Sequence, residues 1–252
     1  MSEAQTQTTL NPAEVEKFSK LAAVWWDPKG KMAVLHKFNP VRIEWIKEQV
    51  CARLGLDPLE AEPFKGLRFL DIGCGGGLLC EPMARLGANV VGVDPSEKNI
   101  RTAQVHAEEG GLVIDYRVSK AEDLAEAGEK FDVILNMEVI EHVGMPQFFV
   151  KSCCDMLKPG GLMFVATLNR TLKSFGLAII GAEYILRWLP KGTHEWEKFI
   201  KPEELRGWLA GNGVQVKAES GVVYHPIERV WRKAKDMDVN YMVVGQKETR
   251  SS

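Results

Sequence analysis

Residues 69–77 read "FLDIGCGGG": an apolar run closes on an acid and then dissolves into glycines. The run has the length and composition of a buried strand, and the glycines permit a sharp turn behind it. Comparable β-rich runs stand at 67–72, 89–94, 112–118, 131–136 and 162–168, and the stretches between the first four are long enough to cross between parallel strands. This alternation specifies an open α/β sheet with helices on both faces. A helix at "PEELRGWLAGNG" (202–213) and strands near 214–219 and 240–246 are expected to finish the sheet, which makes about seven strands, mostly parallel.

The glycine loop discriminates between nucleotide sites. A dinucleotide fingerprint G-x-G-x-x-G fails, because the third glycine position holds Leu78 or Cys80, depending on where the count starts. A P-loop would need Lys after its last glycine, and none follows. The pattern that fits is D-x-G-x-G-x-G, from Asp71 through Gly73, Gly75 and Gly77. Glycines there let the backbone approach a ligand closely, and an acid at the strand end can take an amine. Asp94 closes the next strand, where its carboxylate can accept from two ribose hydroxyls. A loop alone is as well explained by a tight turn; the loop together with Asp94 points to a nucleoside ligand.

Two helices precede the α/β region as a cap over residues 11–56, each opening on Asn-Pro: Asn11-Pro12 and Asn39-Pro40. Asparagine suits an N-cap and proline the first helical position. Residues 1–10 carry no apolar pattern and read as a disordered tip without a targeting segment. The remainder, 11–252, reads as one domain, with its core at 67–168 and the end of the sheet at 202–247. Net charge is −2 over 32 basic and 34 acidic residues, which makes nucleic acid an unexpected partner. Five cysteines without a C-x-x-C pair argue against a disulfide framework and for a reducing compartment.

The loop pattern resembles the S-adenosylmethionine signature of class I methyltransferases. "FDVILNMEVIEHV" (131–143) and "LKPGGLMFVATLNR" (157–170) are similar to that superfamily's fourth- and fifth-strand motifs. "WWDPKGKMAVLHKFNPVR", "GAEYILRWLPKGTHEWEKFIKP" and "VNYMVVGQK" resemble the ubiquinone-biosynthesis O-methyltransferases, which act twice in one pathway on polyprenylated catechols. The likeness runs from about Phe18 to Lys247. It implies a Rossmann-like sheet, S-adenosylmethionine as methyl donor, and a cofactor site at Arg42, Gly73, Asp94 and Met137. Arg42 can pair with the methionine carboxylate, and Met137 can offer backbone and thioether beside the sulfonium. Asp123, in the turn after the third strand, is a further candidate for the adenine amine. Other enzymes of the pathway are further expected partners. A soluble small-phenol methyltransferase and a silent cofactor-binding scaffold are the competing readings.

The octet "NMEVIEHV" (136–143) follows directly on the fourth strand. If a helix starts at Met137 or Glu138, Glu138, Glu141 and His142 share one arc. Acids at a helix N-terminus are unremarkable, but an imidazole on the same face beside the sulfonium is not. Two carboxylates and an imidazole could hold a divalent cation that chelates a catechol and lowers its pKa; the resemblance implies magnesium at these three positions. The alternative makes His142 the general base. His106, lacking such company, reads as a surface residue.

Between the fifth strand and the last helix lies a segment, 170–201, too long for a plain connection. "SFGLAIIGAEYILRWLP" (174–190) is apolar, and the segment as a whole holds six basic residues against three acidic ones. It is too short and too charged to cross a bilayer. An apolar helix beside positive charge suits an anionic membrane surface, with a lipophilic path near Tyr184, Leu186 and Trp188. The expected location is the cytoplasm, peripherally on the inner face of the membrane.

Overall fold

The computed structural model describes residues 8–176, 196–225, 228 and 230–249. Among them, eight strands form one sheet: β1 (Arg68–Ile72), β2 (Asn89–Asp94), β3 (Asp115–Val118), β4 (Phe131–Met137), β5 (Leu157–Leu168), β6 (Val214–His225), β7 (Val230–Ala234) and β8 (Asn240–Lys247). Their order is β3-β2-β1-β4-β5-β8-β6-β7. The first five are parallel, and β8, β6 and β7 add on in antiparallel fashion.

Helices α1 (Pro12–Ser19), α2 (Ala33–Leu54), α3 (Cys80–Arg85), α4 (Glu97–Glu109), α5 (Ala121–Glu126), α6 (Pro146–Asp155), the single turn α7 (Leu172–Ser174) and α8 (Pro202–Gly211) accompany the sheet, with short 3-10 turns at Ala22–Val24, Ile140–His142 and Trp196–Lys198. Alternation along each central strand divides the core in two. Phe69, Val133 and Phe164 pack with Trp45 of α2, Met83 of α3 and Ala103 of α4. Leu70, Ile134 and Val165 face the other way, onto Leu124 of α5, Phe149 of α6 and Leu205 of α8. Each such side chain, fully buried, contributes about 1.5–3 kcal/mol. This two-faced burial is why the central strands read as continuous apolar runs.

Two expectations are corrected and one is refined. The second cap helix does not start at Asn39-Pro40: α2 begins at Ala33 and carries Pro40 inside it. An internal proline costs roughly 3 kcal/mol, but Phe38, Val41, Trp45 and Ile46 are buried along this helix and outweigh it. The sheet of about seven strands that was expected has eight, the additional one being β7 in the basic stretch after His225. There Trp231 pairs across from Tyr224 and packs on Phe38 of α2, ring centroids 5.0 Å apart. Finally, the chain is anchored from Thr8 onward, ahead of the expected start at residue 11. The Thr9 N–H and hydroxyl donate to the Glu122 carboxylate at 2.7 and 2.8 Å, and the Thr9 carbonyl accepts from Gly144 N–H.

Asn11 does cap α1, its side chain accepting from Ala13 N–H, and Gly55 ends α2 in the left-handed conformation. The apolar stretch of the insertion, with Tyr184, Leu186 and Trp188, lies outside the described residues. No helix among the described residues is long and apolar enough to cross a membrane.

Candidate active site

Strands β2 and β3 extend the sheet to one side of β1, while β4 and β5 extend it to the other. Chain reversal at such a point leaves a crevice beyond the carboxyl ends of β1 and β4, and a cavity of about 680 Å³ occupies it. Asp71, Gly73, Asp94, Met137, Glu138, His142 and Arg42 all reach its wall.

Asp94 organises the end of the cavity beside β1 and β2. Its Oδ2 accepts from Gly75 N–H at 3.1 Å, and its Oδ1 accepts from Ser96 N–H at 2.8 Å and Asn99 Nδ2 at 3.2 Å. Burial raises its pKa, and these donors oppose the rise. The side chain is thereby fixed, and Oδ2, which accepts only once, keeps a lone pair for a further donor. Asp71 is deeper: burial pushes it up to about 7, with Cys80 Sγ donating to it at 3.2 Å.

The glycines earn their places for different reasons. Gly73 has φ +68°, and a Cβ there would stand 2.6 Å from Val139 Cγ2. It lets the loops after β1 and β4 close on each other at the crevice. At Gly75 a Cβ would meet the Trp25 ring at 2.5 Å, and at Gly77 it would meet Tyr116 Oη at 2.2 Å. Those two glycines therefore admit aromatic side chains, whereas Gly73 and Cys74 reach the cavity itself. Trp25 and Trp26 of the cap lie on the loop: Trp25 Nε1 donates to Asn99 Oδ1 at 3.0 Å and Trp26 Nε1 to the Gly76 carbonyl at 2.8 Å. His106, expected at the bare surface, is stacked on Trp26 at 3.5 Å and paired with Glu81 at 2.5 Å.

The octet after β4 departs most from its reading. No helix begins at Met137 or Glu138; Glu138 has φ +60°, and only a short 3-10 turn forms, Ile140–His142. The three side chains consequently diverge. Glu138 accepts from Arg42 at 2.5 Å, Glu141 Oε2 from Thr167 at 2.8 Å, and His142 Nδ1 meets the Glu14 carboxylate at 2.9 Å. Among the described residues, no group of three His, Cys, Asp or Glu side chains is placed to hold a metal ion. The donor types still suit a hard cation, because buried Glu141 Oε1 has no partner. Burial, followed by repulsion from Glu138, raises Glu141 to about 8.

Arg42 is buried, and desolvation lowers its pKa against the pull of Glu138 and Glu141. Asp123 is corrected: it is half exposed beside Lys120, and from its turn Ser119, Lys120 and Ala121 reach the cavity instead. Sequence reasoning missed Glu14, whose pKa its hydrogen bond to His142 pulls down to about 2 against burial. It also missed Asn99, Phe38 and Trp231. Glu14 could have been noticed as an acid four residues before Phe18, whose ring stands edge-on to His142 at 4.9 Å.

A glycine loop at the end of β1, an acid at the end of β2 and a crevice at the strand-order reversal define a class I S-adenosylmethionine-dependent methyltransferase. The family model of a methyltransferase domain matches residues 43–219. The chain is 61% identical over 241 residues to the ubiquinone biosynthesis O-methyltransferase of Mesorhizobium japonicum, covering 96% of this chain and 97% of that one. It is 60% identical to the protein of the same name from Chelativorans sp., covering 99% and 98%. Among solved structures, magnesium protoporphyrin IX methyltransferase from Synechocystis PCC 6803 with bound S-adenosylhomocysteine shares the fold at TM-score 0.64 and 19% identity, over 92% of this chain and 95% of that one. The chain belongs to the ubiquinone biosynthesis O-methyltransferase family and methylates with S-adenosylmethionine.

Proposed function

We propose that the acceptor is a polyprenylated catechol and that the chain serves both O-methylation steps of ubiquinone biosynthesis. The observation that carries this reading is one cavity joining a nucleoside-binding end, at Gly73 and Asp94, to an imidazole–carboxylate pair, His142 and Glu14, among apolar walls.

Asp94 holds the ribose, the loop at Gly73 and Cys74 lies along the nucleoside, and Met137 stands at the end of β4 beside the reacting centre. A catechol hydroxyl is a poor nucleophile until it loses its proton. With Nδ1–H donated to Glu14, the basic nitrogen of His142 is Nε2, which takes that proton. The Glu14 carboxylate stabilises the imidazolium so formed, as the acid does in other carboxylate–histidine pairs. The phenolate oxygen then bonds to the methyl carbon, and the sulfonium's carbon–sulfur pair returns to sulfur, giving S-adenosylhomocysteine.

A second reading is favoured by the unpartnered Glu141 Oε1 and its repulsion from Glu138. A magnesium ion held by Glu138, Glu141 and His142 would acidify the acceptor hydroxyl. Transfer from labelled S-adenosylmethionine to a short-chain catechol, with and without EDTA, separates the two. Activity that survives exhaustive chelation and falls by about 100-fold in His142→Asn supports the base; loss on chelation with rescue by magnesium supports the ion. No transfer to any catechol overturns the acceptor class.

The basic, apolar insertion supports peripheral attachment to the inner face of the cytoplasmic membrane. Sedimentation with anionic liposomes at low salt tests it, and a protein that stays in the supernatant overturns it.

A further inference from the structure

The charged end of the cavity and its apolar end are joined by a row of rings. The Arg42 guanidinium carbon sits 3.8 Å from the centroid of Phe38, Phe38 lies 5.0 Å from Trp231, and Trp231 lies 5.2 Å from Tyr224. Val34, Tyr224 and Trp231 line the main cavity and also a second, smaller one of about 200 Å³, whose remaining wall is Lys29, Gly30, Ala33 and Lys37. These three residues are therefore the partition between the active site and an outer cleft.

We infer that the isoprenoid tail of the acceptor leaves the active site between the first turns of α2 and the β6–β7 hairpin, past Phe38, Val34 and Trp231. This rests on the acceptor proposed above and adds to it where the tail goes. A catechol ring placed beside His142 carries a tail that water rejects and that a polar or charged wall would also reject. Phe38, Val34 and Trp231, which bound this route up to Lys29 and Lys37, are aromatic or aliphatic. Hydrophobic walls with few polar groups are what such a ligand requires. Lys29 and Lys37 stand at the outer cleft, where their stems can cover the tail while their ammonium groups stay in water. The β6–β7 hairpin thereby has a role: it supplies one wall of the tail channel, and its antiparallel pairing with β8 holds that wall at the edge of the sheet.

The test compares kcat/KM for a long-tailed and a tailless catechol in the full-length enzyme, for wild type, Trp231→Ala and Val34→Gln. Wild type should prefer the tailed acceptor, and each variant should reduce that preference by about tenfold. A tailed analogue bearing a diazirine near the ring end should crosslink to α2 around Val34 and to the β6–β7 hairpin. Val34 is half-buried and its polar variant keeps side-chain volume, so a folding defect in Trp231→Ala does not remove the test. An unchanged preference in both variants, or crosslinks confined to other elements, overturns the route. Failure of wild type to methylate either catechol overturns the acceptor class, and the route with it.

Discussion

The guanidinium of Arg42, from the middle of α2, donates to the carboxylate of Glu138, the first residue beyond β4, at 2.5 Å. The arginine is buried, and the glutamate adopts φ +60° to reach it. A non-glycine residue in that region costs about 1–2 kcal/mol, so the pair opposes a measurable strain. Removing one member of a buried pair costs about 3–5 kcal/mol because the other is left uncompensated. Glu138→Gln should therefore lower the unliganded melting temperature. If Arg42 takes the methionine carboxylate of the cofactor, S-adenosylhomocysteine should raise that temperature more in Glu138→Gln than in wild type. An equal or smaller rise would remove Arg42 from the cofactor site.

Asp94 is held by three donors, and the ribose contact proposed for it falls to the lone pair left on Oδ2. Hydrogen bonds to a charged group contribute about 1.5–3 kcal/mol each. Asp94→Asn should weaken S-adenosylhomocysteine binding by about 10- to 100-fold in isothermal titration. Affinity within a factor of about two of wild type would exclude it as the ribose acceptor.

Gly73 carries both a positive φ and a close neighbour, Val139. Gly73→Ala should destabilise the fold by about 1–3 kcal/mol through strain and overpacking together. Adding Val139→Ala should return only the packing part, which denaturant melts of the single and double variants will measure. Full additivity of the two changes would show that the contact is not the cause.

Glu141 carries its own pH dependence. Its folded pKa is raised to about 8, chiefly by burial and then by Glu138, while an unfolded carboxyl titrates near its ordinary value of about 4.3. Between those values the folded chain binds the extra proton. Stability from this group is thus complete at low pH, declines as pH rises through the window, and is lost above the folded pKa. Thermal melts of wild type should fall from about pH 5 to 8 more steeply than those of Glu141→Gln. Parallel curves would mean that Glu141 ionises normally in the fold.

Glu14 should act through His142. Glu14→Gln removes the charge that favours the imidazolium, so the acid limb of the kcat/KM profile should move to lower pH, with a lower maximum. A profile unchanged in position would leave Glu14 a merely structural neighbour.

The strand sequence, the glycine loop and the acids at the ends of β1 and β2 were legible because burial on both faces imposes continuous apolar runs, and sharp turns impose glycine. Those are local demands, written in consecutive residues. From them the parallel core, a nucleoside ligand and the positions of Gly73 and Asp94 followed, while the family resemblance supplied S-adenosylmethionine. Local rules misled where tertiary packing outweighed them: α2 runs through Pro40 because its buried face is worth more than the lost hydrogen bond. The octet at 136–143 looked like one helical face, yet contacts 96, 26 and 128 residues away decide it. Arg42 turns Glu138, while Thr167 and Glu14 draw Glu141 and His142 elsewhere. The roles of Gly75 and Gly77 were likewise hidden, since the rings of Trp25 and Tyr116 come from distant elements. Pattern in a sequence reports the geometry of a segment's own backbone. Where a side chain of a charged residue points is set by the partner that compensates its burial, and only the folded chain brings that partner near.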